Sequence, residues 1–317
     1  MSGKSFSFLL VLLLFLGGRG VFAQEYEVRL QRPLAAGDAQ EMAVTGRQMR
    51  GTIVSVNGVD QKNVRLDAEA RLEAGEIVTG VDANGKETRI KLVVEKFTYT
   101  ATGHPLMQVL PKGTVISCSV ADKKQIYTIA GKPATPDVEK ALDMVVDLGT
   151  GEPSKDEDFG TTEKKKKGDT WDLNGAAIKK ALESSSNGYE FDHIEGKATL
   201  MDVTADTAIY AVRFRGDVKM PVPQGFTLDE ASIDATYRLA CPVDPLKYQG
   251  TDFEDILIYF TCHSAEQSAR PVVMKSMLEK TMTRTFTPAT APAESGSAAP
   301  SPTAAPSISP GTTSAAQ

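Results

Sequence analysis

The sequence predicts an α+β protein that is mainly β: long antiparallel amphipathic strands in two curled sheets or half-barrels, with two short helices in the central connection. Three observations carry this. Apolar and charged residues alternate over runs of ten residues or more in both halves of the chain. Asn-Gly pairs, at Asn57, Asn84, Asn174 and Asn187, punctuate those runs as turns or helix ends. Residues 132–188 differ in character, separate the halves and hold the only tryptophan, Trp171.

Residues 1–23 have the form of a secretory leader. Lys4 gives the positive start, an apolar run follows, and Val21-Phe22-Ala23 fits a small-residue cleavage site. The run is too short to span a bilayer, which takes about 20 residues, so no membrane span is expected after cleavage. The expected location is the periplasm or the extracellular space. The chain carries 35 bases and 41 acids, and cleavage after Ala23 removes two of the bases. That acidic balance argues against a nucleic-acid partner, which needs a basic footprint.

Residues 24–131 form the first β-rich half. In residues 62–73, Val64, Leu66, Ala68, Ala70 and Leu72 point one way, and charged or polar residues point the other. Such a strand belongs to an antiparallel sheet that is wet on one side. Asn84-Gly85 joins a strand over 76–82 to one over 87–99, where Ile90, Leu92 and Val94 face the core. Short strands near 114–120 and 125–130 close the half.

The connector, 132–188, opens with Thr135-Pro136-Asp137, a helix start with a cap, a proline at the first turn and an acid near the positive dipole end. Val138, Leu142, Val145 and Val146 continue it at helical spacing, and Gly149 stops it. Residues 151–158 read as an acidic loop. Lys164, Lys165, Lys166 and Lys167 read as a solvated run before Trp171, which serves as an apolar anchor between the halves. Asn174 caps a second helix carrying Ile178, Ala181 and Leu182 on one side.

The second β-rich half covers 189–286. Ala208, Tyr210, Val212, Phe214 and Val218 face inward on one strand, and Ile233, Ala235, Tyr237, Leu239 and Cys241 on the next. Ile256, Ile258, Phe260 and Cys262 share a face of a third, and alternating threonines favour a strand over 277–286. Strands this long curl, which suits a half-barrel. Residues 287–317, almost wholly Pro, Ala, Ser, Thr and Gly, read as a disordered tail.

The sequence assigns no catalytic, cofactor-binding or metal-ligating residue. Cys262 and His263 are neighbours on opposite faces of a strand. His193 and Glu195 form a His-x-Glu pair without the cysteine half of a zinc deaminase signature. His104 stands in a loop before Pro105 with nothing paired to it. The acidic residues 156–158 lack the full calcium-loop spacing. Phosphate or anionic polysaccharide binding by lysines 164–167 is opposed by the acids around them. Cys241 and Cys262 are predicted to be buried free thiols, because an antiparallel hairpin sets them far apart.

With Gly168-Asp169-Thr170-Trp171 in view, the chain resembles uncharacterised secreted bacterial β-rich proteins that carry Gly-Asp-x-Trp between two halves. Leu110-Pro111-Lys112-Gly113-Thr114 and Met220-Pro221-Val222-Pro223-Gln224-Gly225-Phe226 add to the likeness. The resemblance implies an architecture and an exported location, and no active site. Two functions follow: a non-catalytic scaffold or binding module of the cell envelope, or a carrier of an apolar ligand such as a lipid within a curled sheet. A hydrolase ranks below both, since no nucleophile has a recognisable base beside it.

Overall fold

The protein is described from a computed structural model over residues 24–31, 34–83, 85–122, 124–148, 153–185, 189–244, 250–264 and 271–289. The expected leader lies outside the described residues, as does the expected tail from residue 290 onward.

Among the described residues thirteen strands, all antiparallel, form one curled, unclosed sheet. The first half supplies β1 (Ala39–Val56), β2 (Val59–Val81), β3 (Glu87–Ala101), β4 (His104–Leu110), β5 (Val115–Ala121), β6 (Lys124–Ile129) and β7 (Lys132–Pro133). The connector supplies β8 (Thr170–Asp172). The second half supplies β9 (Glu190–Val203), β10 (Thr207–Lys219), β11 (Phe226–Pro242), β12 (Gly250–Ser264) and β13 (Val272–Pro288). Their order across the sheet is β7-β6-β5-β3-β2-β1-β13-β12-β11-β10-β9-β8, with β4 beside β3.

The two halves are thus one sheet, joined where β1 pairs with β13 from Gln40↔Pro288 to Val56↔Val272. β13 runs two residues into the segment read as tail, because Thr287 and Pro288 still have partners on β1. Residues read as two strands, 62–73 and 76–82, are one 23-residue strand, β2. Asn57 and Gly58 both take positive φ, 53° and 77°, and turn β1 into β2 between the paired Val56 and Val59.

The connector lies on the concave face and divides the core into two clusters. Helix α1 (Pro136–Leu142) starts at Thr135 with Pro136 in its first turn, but Thr135 makes no side-chain cap bond. It ends at Leu142, earlier than the apolar spacing suggests, and Met144, Val145 and Val146 continue as turn and coil against the first cluster. Gly46 of β1 makes that approach possible: a Cβ there would lie 1.8 Å from the Met144 carbonyl oxygen.

The segment read as an acidic loop contains a helix, α2 (Lys155–Phe159). Ser154 and Glu157 form a reciprocal capping box that satisfies its first amides, and Asp158 and Phe159 are buried. Phe159 packs against Phe214 and Tyr237 in the second cluster. Asn174 Oδ1 accepts the Ala177 amide and starts α3 (Gly175–Ser185), which buries Ile178.

Trp171 is buried as an anchor should be, but it anchors the second cluster alone and not the joint between the halves, which β1 and β13 make. Its indole donates Nε1–H to the Phe159 carbonyl at 2.7 Å and meets Tyr210 edge-on. The lysines before it are not uniformly wet. The Lys165 side chain is only 12% exposed, lies 6.0 Å from the Trp171 ring centroid and pairs with Glu163, while its backbone bridges Tyr26. An ammonium over an indole face is attracted by the ring quadrupole, which draws this one lysine inward.

Candidate functional site

Register fixes what the concave face presents along its midline. Val44, Arg284, Asp252 and Leu239 occupy one row across β1, β13, β12 and β11, so two charged residues face inward between the apolar clusters. The connector meets them there. Asp147 accepts from Arg284 at 3.0 Å, and Lys155 pairs with Asp252. Desolvation alone would raise the Asp147 carboxyl, but Arg284, Lys280 and Lys86 hold it well below its ordinary range. Lys155 is raised: Asp252 outweighs the desolvation that opposes it. These groups wall a cleft of about 410 Å3 that also touches Phe159, Tyr237 and Cys241.

At the cleft sits a carboxyl pair, a buried Glu76 and a half-buried Glu87. Glu76 points inward from β2, is 3% exposed and accepts Gln40 Nε2–H at 3.2 Å. Burial, then repulsion from Glu87, pushes Glu76 up to about 8, and burial raises Glu87 as well. Glu76 is therefore a neutral acid over much of the physiological range.

The second feature is the end of the concave face that the connector leaves uncovered. β1, β2 and β13 continue past the first cluster, and their inward residues mix apolar with polar ones, while Ile258 and Phe260 of β12 edge the second cluster. One row reads Leu66, Arg50, Leu278, Ile258 and Ile233; the next reads Val64, Thr52, Ser276, Phe260 and Ala231. Ile233 and Ala231 are buried at the β11 side, whereas Ile258, Phe260 and Leu278 are half-buried and Leu66 is 53% exposed. Alternation along residues 62–73 is as expected, but only from Ala70 onward is the apolar face sealed. Between this end and α1 opens a cavity of about 680 Å3, whose wall includes Arg50, Leu66, Tyr99, Lys140 and Lys280.

The residues weighed for chemistry are scattered. His193 takes φ of 52° at an irregularity in β9, is exposed and pairs with Asp217 at 2.8 Å. Glu195 beside it binds Arg215. His263 pairs with Asp229 across the β11–β12 hairpin. His104 opens β4 at the rim of the larger cavity. Asp156 accepts the Leu30 amide at 2.6 Å, a structural bond to the N-terminal segment.

All three cysteines are free and buried, as expected of Cys241 and Cys262. β11 and β12 do form the antiparallel hairpin, with Leu228 opposite Cys262 and Ala240 opposite Thr251. The two thiols are therefore near opposite ends of the strand pair. Burial pushes the thiols of Cys118 and Cys241 up to about 12, with Glu76 and Asp252 adding to it respectively.

Arg284, Asp252, Glu76, Arg50 and Lys280 were not singled out from the sequence. Their signal is parity. Arg284 and Lys280 stand an even number of residues from Met282 and Phe286, and Arg50 from Met42 and Val44, so each shares the inward face.

No protein-family model matches the chain, and comparison with curated proteins returns no match. Among solved structures, the chain is similar to one titled for lipid–protein interactions in lipovitellin, at 8% identity and a TM-score of 0.29. That likeness covers 80% of this chain, which spans 25% of the lipovitellin chain. A second, OpdQ of Pseudomonas aeruginosa, is 7% identical with a TM-score of 0.15, over 78% of this chain and 98% of that one. Superpositions this loose bear on neither ligand nor role. No helix among the described residues is long and apolar enough to cross a membrane.

Proposed function

We propose that this chain is an exported, non-catalytic binding module of the cell envelope that carries an apolar ligand of the lipid class on the uncovered end of its concave sheet face. The observation that carries this reading is a half-buried strip in which Ile258 and Leu278 share the row of the 53%-exposed Leu66 and Phe260 lies in the next row. Water gains nothing from those side chains, and covering each would recover on the order of 1 kcal/mol. An inward-facing apolar strip that meets, at Leu66, a cavity of about 680 Å3 suits a ligand better than a filled core. The cysteines speak for a role without catalysis, since burial raises all three thiols, those of Cys118 and Cys241 to about 12, and makes them poor nucleophiles. Export rests on the leader-like residues 1–23.

Native mass spectrometry of the protein purified from the cells that make it tests the reading. A reproducible apolar adduct, reduced in Ile258→Asp and Phe260→Asp variants, is the expected result. A protein that is empty in every preparation and that binds no added apolar fluorophore would overturn the carrier and leave a scaffold.

A further inference from the structure

Two cations stand at the head of the uncovered strip. Arg50 of β1 lies opposite Leu278 of β13, and Gln48 lies opposite Lys280, so Arg50 and Lys280 are diagonal cross-strand neighbours on the concave face. Diagonal pairs sit about 7–8 Å apart at their Cα atoms, within reach of each other's long side chains. Like charges so placed repel, and a soluble sheet would normally place an acid between them. Among the described residues neither makes an ion pair. Lys280 feels the field of Asp147, but that carboxylate bonds to Arg284.

The other acids of the wall are mostly engaged. Asp67 is held by Arg47 and Arg65, and Asp143 accepts the Tyr127 hydroxyl at 2.9 Å, which leaves Glu139 on α1. Lys140 adds a third cation 6.0 Å from the Tyr99 ring centroid, and the Tyr99 hydroxyl is buried without a hydrogen-bond partner. The apolar run starts at once from this cluster, with Leu66 and Leu278 flanking Arg50 in its row and Ile258 beyond.

We infer that the ligand is a long-chain fatty acid, its carboxylate held between Arg50 and Lys280 and its chain laid over Leu278, Ile258 and Phe260. This rests on the apolar-carrier reading above and gives that ligand its polar end. A guanidinium offers a carboxylate paired N–H donors, and a neighbouring ammonium adds a point charge. The cavity of about 680 Å3 holds the head-group end, lined by Arg50, Lys280 and Leu66, and the strip of Leu278, Ile258 and Phe260 runs on from it across the sheet, which suits one anionic head with a single chain.

Titration calorimetry on the leader-free protein compares hexadecanoic acid, its methyl ester and acetate. The acid is expected to bind the wild type at least about tenfold tighter than the ester, a difference of about 1.4 kcal/mol. Acetate should not bind measurably. The double variant Arg50→Gln/Lys280→Gln should lose the preference for the acid and keep its affinity for the ester. An ester as tight as the acid on the wild type overturns the carboxylate site while leaving the apolar carrier intact. Binding of neither long-chain compound overturns both.

Discussion

Glu76 shows how one residue reports its surroundings. Its carboxyl sits on the core face of β2 with Gln40 as its hydrogen-bond partner and Glu87 as a repelling neighbour, and it titrates near 8 against an ordinary 4.5. A raised folded-state value means that the neutral acid stabilises the fold fully below about 4.5, and that this contribution is lost as the pH rises through 8. Glu76→Gln keeps the hydrogen bond and removes the titration. Urea melts should therefore find the variant more stable than wild type at pH 9, by on the order of 2–4 kcal/mol, and little changed at pH 5. A parallel pH dependence in the two proteins would mean that another group controls it. Trp171 and its lysines separate in the same way. Trp171→Ala should cost about 3–5 kcal/mol and Lys165→Gln about 1, because only Lys165 covers the indole. Lys164→Gln and Lys167→Gln should stay within about 0.5 kcal/mol, with thermal melts giving the ranking.

Among the elements, those that follow a local rule were legible and those that depend on a distant partner were not. Ala208, Tyr210, Val212, Phe214 and Val218 alternate onto the buried face because period two is written in the strand itself. The β11–β12 hairpin and its unpaired cysteines follow from adjacent strands and a short connection. Helix α2 was missed although Ser154 and Glu157 stand at capping-box spacing before Phe159, because the acidic run over 156–158 has the look of a loop. Lys165 read as wet because charge runs usually are, and nothing local says which lysine an indole will draw in. The close approach of α1 to β1 has a single-residue test. Gly46→Ala would set a methyl against the Met144 carbonyl, and overpacking of that kind costs about 1–3 kcal/mol. We expect a lowered melting temperature together with raised proteolysis around residues 136–146. An unchanged melt would place the connector elsewhere.

The whole molecule depends on β1 and β13, strands more than two hundred residues apart in sequence that zip the two halves into one sheet. No periodicity announces that pairing, because each strand's pattern fixes its face and not its partner. The two halves therefore read as two sheets. The same pairing creates the candidate site: it brings Arg50 and Leu66 from the first half beside Lys280, Leu278 and Ile258 from the second. Non-local pairing of this extent predicts slow folding, on the scale of milliseconds to seconds or longer. Refolding followed by Trp171 fluorescence should show it, and submillisecond recovery of the full signal would contradict it. The central claim is that the uncovered end of this joint is where the ligand lies. Amide hydrogen exchange with and without hexadecanoic acid tests it most directly. Binding should slow exchange in residues 48–66, 256–264 and 272–280 and leave β5, β6, β9 and β10 unchanged. Protection confined to β9 and β10, or spread evenly over the sheet, would contradict it.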